Sequence, residues 1–144
     1  DRKSTVKVRN GKYDGRKGSL NTDVFLNIYK VLYGDLDGDQ KDEAVVFYMC
    51  GSGASYAYFR GLVYSLKNRK PTLMTELEGG NKGDGGFNDV WIVNGRLVVE
   101  RNQVGVGGSA CCPESIEITR YKLKGKHLVR SGKRQSRKIT TNSQ

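Results

Sequence analysis

Histidine is nearly missing from this chain: 144 residues contain only His127, beside two prolines, one tryptophan and three cysteines. A lone histidine cannot build the imidazole ligand sets of zinc centres. A Ser-His-Asp triad would have to recruit it from a basic terminal hairpin, and no Gly-x-Ser-x-Gly elbow is present. No apolar run reaches the roughly 20 residues of a membrane-spanning helix. The opening DRKSTVKVRN lacks the apolar centre of a signal peptide, so the extracytoplasmic location expected below assumes a signal removed before residue 1.

Cys50, Cys111 and Cys112 lack the two-residue spacing of a zinc knuckle. In an oxidising compartment the simplest expectation is a disulfide from Cys50 to either Cys111 or Cys112. It closes a loop of about sixty residues and stabilises the fold by about 4 kcal/mol in the chain-entropy picture. The remaining thiol is then buried and free, or pairs with a partner. A vicinal Cys111–Cys112 bridge is the strained alternative.

Acid is scarce where base is densest. The net charge is +10, and residues 1–17 hold seven Lys/Arg against two Asp while residues 121–144 hold eight against none, which leaves 18–120 slightly acidic. The stretch SGKRQSRKITTNSQ reads as a basic, flexible C-terminal tail over 131–144, attached to a single β domain over 1–130. Basic ends of this kind are drawn to anionic envelope polymers or lipid headgroups. Tyr121 is the only aromatic residue in the C-terminal block, too few for a stacking platform, so no specific nucleic-acid partner is expected.

What is plentiful is glycine, 19 residues, and period-two alternation. TVKVRNGKYDG and DVWIVNGRLVVERN alternate around Asn10-Gly11 and Asn94-Gly95, the strongest two-residue hairpin signal. EAVVFYMC is a continuous apolar run fit for a central strand. YAYFRGLVYSLKNRKPTLMTELEGG reads as two strands joined around 68–71, and SIEITRYKLKGKHLVRS alternates and turns near Gly125. In DVFLNIYKVLYGD, Val24, Leu26, Ile28 and Val31 fit spacing two at least as well as 3.6. The expected fold is mainly β: an antiparallel meander of about eight short strands, sandwich or open barrel, with little helix. NQVGVGGSACCPE resembles a phosphate-cradling glycine run only superficially, because no helix or Lys-Ser/Thr pair follows it.

One segment concentrates acid. In GDLDGDQKDEAVV, Asp35, Asp37 and Asp39 fall at positions one, three and five, the Lys41 carbonyl at seven and Glu43 at nine. That spacing wraps oxygen ligands around a hard cation such as calcium. Gly38 permits a sharp turn, whereas Gln40 stands at the sixth position, where such loops use glycine. An acidic turn capped by its own backbone amides is the rival reading.

The segment resembles the calcium-loop motif of FG-GAP and VCBS repeats, which implies calcium held by Asp35, Asp37, Asp39 and Glu43. The motif occurs once here, too few for a propeller. The wider order of acidic loop, CGSG, GGNKGDGG, NGRLVVE and CCPESIEITRY, over about residues 30–130, resembles small bacterial secreted or lipoprotein domains, including the LppP/LprE-like lipoproteins. The resemblance implies an extracytoplasmic, non-catalytic binding or structural module. The alternative is a cell-envelope hydrolase drawing two carboxylates from Asp42, Glu43, Asp89 and Glu100. Tyr56, Tyr58, Phe59 and Tyr64 offer a carbohydrate- or protein-binding face, against the plainer reading of one side of a half-buried sheet.

Overall fold

Alternation makes the strands, and asparagine-led turns separate them. The computed structural model describes residues 5–16, 23–53 and 56–140. Its strands are β1 Lys12–Asp14, β2 Val24–Gly34, β3 Glu43–Ser52, β4 Tyr56–Lys67, β5 Lys70–Asn81, β6 Phe87–Val93, β7 Arg96–Gln103, β8 Ser115–Lys124, β9 His127–Arg130 and β10 Gln135–Lys138. A 3-10 turn at Lys82–Asp84 is the only helical element among the described residues. At Asn94-Gly95 the φ angles are 50° and 66°, the left-handed pair a two-residue hairpin turn requires. Asn10-Gly11 does the same, but closes a single bridge between Arg9 and Lys12.

The mainly β, antiparallel expectation holds, with ten strands rather than about eight. They form two five-stranded sheets that pack as a sandwich and do not close into a barrel. The first sheet has the order β1-β2-β3-β4-β5 and the second β6-β7-β8, with β9 and β10 sharing the far side of β8. β2 is a strand with a bulge: pairing with β3 slips between Ile28 and Lys30. The extra residue changes the apolar step from two to three, so that Val31 follows Ile28 on the same face.

Phe47 on β3 is fully buried and meets Phe87 of β6 edge to face, with ring centroids 5.3 Å apart. Val45, Val63 and Leu77 join it from the first sheet, and Val90, Leu97, Val99 and Leu123 from the second. Burying each such side chain is worth about 1.5–3 kcal/mol. Leu36, also in this core, sits in the β2–β3 loop, and its carbonyl accepts from the Leu123 amide at 2.9 Å. That bond fixes the acidic loop to the second sheet.

Two expectations are corrected. The stretch read as a flexible tail over 131–144 returns to the sheet, since β10 pairs with β8 from Gln135↔Ile118 to Lys138↔Ser115. The anchor is polar: Arg137 reaches a carboxylate that is 7% exposed, Glu100 of β7. Residues 141–144 lie outside the described residues. The disulfide is also absent: Cys50, Cys111 and Cys112 are all free. The alternation of β3 turns Cys50 to the outward side of the first sheet, opposite Leu26 and Tyr58, whereas Cys111 and Cys112 lie in the loop after β7 of the other sheet.

Candidate functional site

The β2–β3 loop is built by side chains accepting from the backbone. Asp35 Oδ1 accepts from the Gly38 amide at 2.6 Å and its Oδ2 from the Gln40 amide at 2.9 Å. Asp37 Oδ1 accepts from Asp39 at 3.0 Å, and Asp39 Oδ1 from Lys41 at 2.8 Å. The turn depends on two left-handed residues, Gly38 at φ 84° and Gln40 at φ 68°. Gln40 therefore adopts the conformation that such loops ordinarily assign to glycine, against the steric preference of an L-residue.

These turns gather the three aspartates. Oxygens from Asp35, Asp37 and Asp39 all lie within 4.8 Å of one another, a spread that suits a cation held at about 2.3–2.6 Å from each oxygen. Beneath them Glu43, the first residue of β3, is completely buried. Its Oε2 accepts from the Leu36 amide at 2.8 Å, while its Oε1 has no hydrogen-bond partner among the described residues.

No Lys or Arg nitrogen among the described residues comes within 4.0 Å of these four carboxylates. Lys122 and Lys124 line a groove of about 380 Å³ beside Asp35 and Asp37 without pairing with either. Lys41 gives the loop its amide, and its side chain is exposed. Burial pushes the Glu43 carboxyl up; the Leu36 amide opposes the shift, and the charges of Asp37, Asp39 and Asp35 reinforce it. Desolvation works to raise the Asp35 carboxyl, but the amides of Gln40, Gly38 and Asp39 outweigh it and hold Asp35 below the usual range.

The other predicted positions are scattered. Tyr56, Tyr58 and Tyr64 share the outward side of the first sheet, but Phe59 is turned inward, its ring 6.4 Å from that of Tyr29. Asp89 and Glu100 are cross-strand neighbours on β6 and β7, the one close approach among the four carboxylates of the hydrolase reading named by strand pairing. Each holds its own cation: Lys30 lies 2.9 Å from Asp89, and Arg137 lies 3.0 Å from Glu100. Hydrogen bonds from Lys30 and Val90 lower the Asp89 carboxyl, the opposite of what a general acid needs. Desolvation raises the Cys50 thiol despite nearby Arg60, so it is a poor nucleophile. His127 is exposed at the start of β9.

Sequence reasoning missed a polar cavity of about 490 Å³ at the end of the sandwich away from the acidic loop, lined by Glu78, Arg101, Asn102 and the glycine segments. Packing of the two sheets brings its walls together from β5 and β7, where Arg101 donates to the Glu78 carbonyl at 3.2 Å, a relation no local pattern encodes. The basic tail is also less available than composition implied, because Arg134 pairs with Glu117 at 3.3 Å and Arg137 with Glu100. Comparison with family models, curated proteins and solved structures gives no match.

Proposed function

We propose that the chain is an extracytoplasmic, non-catalytic binding or structural module whose acidic loop holds a calcium ion. One observation carries the reading: Glu43 is fully buried with an oxygen that has no hydrogen-bond partner, next to three clustered aspartates with no cationic partner, among the described residues. An unpaired buried carboxylate is strongly unfavourable, and repulsion among four of them adds to that. Asp35, Asp37, Asp39 and Glu43, with the Lys41 carbonyl, would hold the ion, which supplies the missing positive charge and ties the loop together.

The donor set is all oxygen, as calcium prefers. The Gln40 side chain and the Lys41 charge dilute the site, which fits the weak binding, about 10⁻⁴–10⁻³ M, of modules working where calcium is plentiful outside cells. A site that weak would be occupied in a secreted, periplasmic or envelope-anchored setting. The basic residues at the chain ends suit attraction to anionic envelope polymers or lipid headgroups. Isothermal titration of chelator-treated protein tests the ion. One calcium per chain with a matching rise in Tm is expected; no heat and an unchanged Tm at millimolar calcium would refute it.

A further inference from the structure

Among the described residues, no strand packs on the outward side of the first sheet. Of the ten large apolar side chains exposed among the described residues, seven lie there, including Val31 and Tyr33 on β2, Tyr58 and Leu66 on β4 and Leu73 on β5. Tyr33 is 68% exposed and Leu66 61%, so these are not rims of the core. Between them Val46, Tyr48, Leu62 and Tyr64 fill the middle of the same side. Four strands at about 4.8 Å spacing and about ten residues of 3.3 Å make a plate of about 650 Å². Contiguous apolar patches of this size mark interaction sites, and tyrosine is the residue type such sites favour.

Charge identifies the occupant. The chain carries +10 overall, yet the charges on this plate are Arg60, Glu76 and Glu78, and Arg60 bridges the two glutamates at 3.0 and 4.0 Å. An acidic partner would find no free cation here, and a basic one little acid. A second copy of the same plate brings little charge to bury, one Arg against two Glu on each side. The plate also approaches the roughly 800 Å² per partner that a standard stable interface needs. We infer that the chain forms a homodimer by packing the outward sides of two first sheets face to face, as aligned sheets pack in β-sandwiches.

The inference stands apart from the calcium reading and is tested on the whole chain. Sedimentation equilibrium should give twice the chain mass of 16.0 kDa. Association should tighten with added salt, which screens the +10 charge of each copy while leaving apolar contact intact. Tyr58→Glu and Leu66→Lys, at exposed sites, should weaken dimerisation by about tenfold or more with unchanged circular dichroism. Hydroxyl-radical footprinting of the unaltered chain provides a check independent of the variants. Tyr33 and Tyr58 should become protected as concentration rises, whereas Val93 and Val106 stay reactive. A monomer at every soluble concentration overturns the inference, as does a dimer that leaves Tyr33 and Tyr58 reactive. Protection that needs added phospholipid vesicles assigns the plate to lipid and overturns it equally.

Discussion

The guanidinium of Arg137 lies 3.1 and 3.0 Å from the two carboxylate oxygens of Glu100, joining the last strand to β7 across the intervening β8. Asn88 donates to the same carboxylate at 2.6 Å, so a nearly buried acid has its partners supplied from both sides. Arg137→Ala removes the cation and leaves the acid. Because the Arg137 side chain is itself 53% exposed, water replaces part of the loss, and the expected cost is about 1–2 kcal/mol rather than the several of a sealed pair. Urea unfolding of Arg137→Ala, Glu100→Gln and the double variant measures it, with the double variant less destabilised than the two single changes added together.

Gln40 offers the reverse experiment. Its left-handed backbone costs about 1 kcal/mol that glycine would not incur. Gln40→Gly should therefore raise the Tm of the metal-free chain by about 3–5 °C. Calcium affinity should rise or hold, because the loop is already shaped for the turn. A drop in Tm would show that the Gln40 side chain contributes contacts beyond its backbone.

Glu43 gives a prediction with two signs. Replacing it by Gln keeps an acceptor for the Leu36 amide and removes the buried charge, so the metal-free chain at neutral pH should gain about 1–3 kcal/mol. The increment in Tm produced by calcium should fall sharply in the same variant. A wild-type Tm unchanged by calcium, with Glu43→Gln destabilised, is the contrary result.

The same group sets a pH dependence. A carboxyl raised by folding binds its proton more tightly in the folded state, so its penalty is present at neutral pH and is relieved as pH falls toward the ordinary glutamate value of 4.5. Asp35 is shifted the other way; its contribution is present above the ordinary aspartate value of 3.8 and lost as pH falls below it. Thermal melts in chelator should show stability rising from pH 7 toward 5 and falling below 4. With calcium saturating, the rise should vanish, since protons and the ion compete for the same oxygens.

Thiol chemistry should be plain. Alkylation without reductant is expected to label Cys50, Cys111 and Cys112 in the unfolded chain, seen as three adducts by intact mass, and reductant should leave the Tm unchanged. Cys50→Ser should cost about 1 kcal/mol, as a partly buried thiol on a sheet surface does.

The turns were legible because asparagine and glycine tolerate left-handed backbone, so Asn94-Gly95 announced its hairpin without tertiary context. The spacing of Asp35, Asp37 and Asp39 likewise carried its own geometry, since consecutive Asx turns set those oxygens locally. Phe59 was misplaced by grouping it with Tyr58, although the parity of a strand sends neighbours to opposite sides. The cysteine pairing failed for a different reason: three thiols far apart in sequence contain no information about which sheet face each occupies. The strand at Gln135–Lys138 has no apolar residue to announce it, because its partner is a carboxylate 37 positions earlier.

The division of the two sheets has a consequence for biosynthesis. Each is a run of sequence neighbours, β1 to β5 and then β6 to β10, and the one departure from strict succession is β10 returning to β8. A nascent chain therefore exposes the whole first layer through Asn81 before any of the second has emerged from the ribosome, with Phe47 and Val63 bare until Phe87 and Val90 follow. During that interval the nascent layer is apolar on both sides, and it is then that a chaperone would have most to shield.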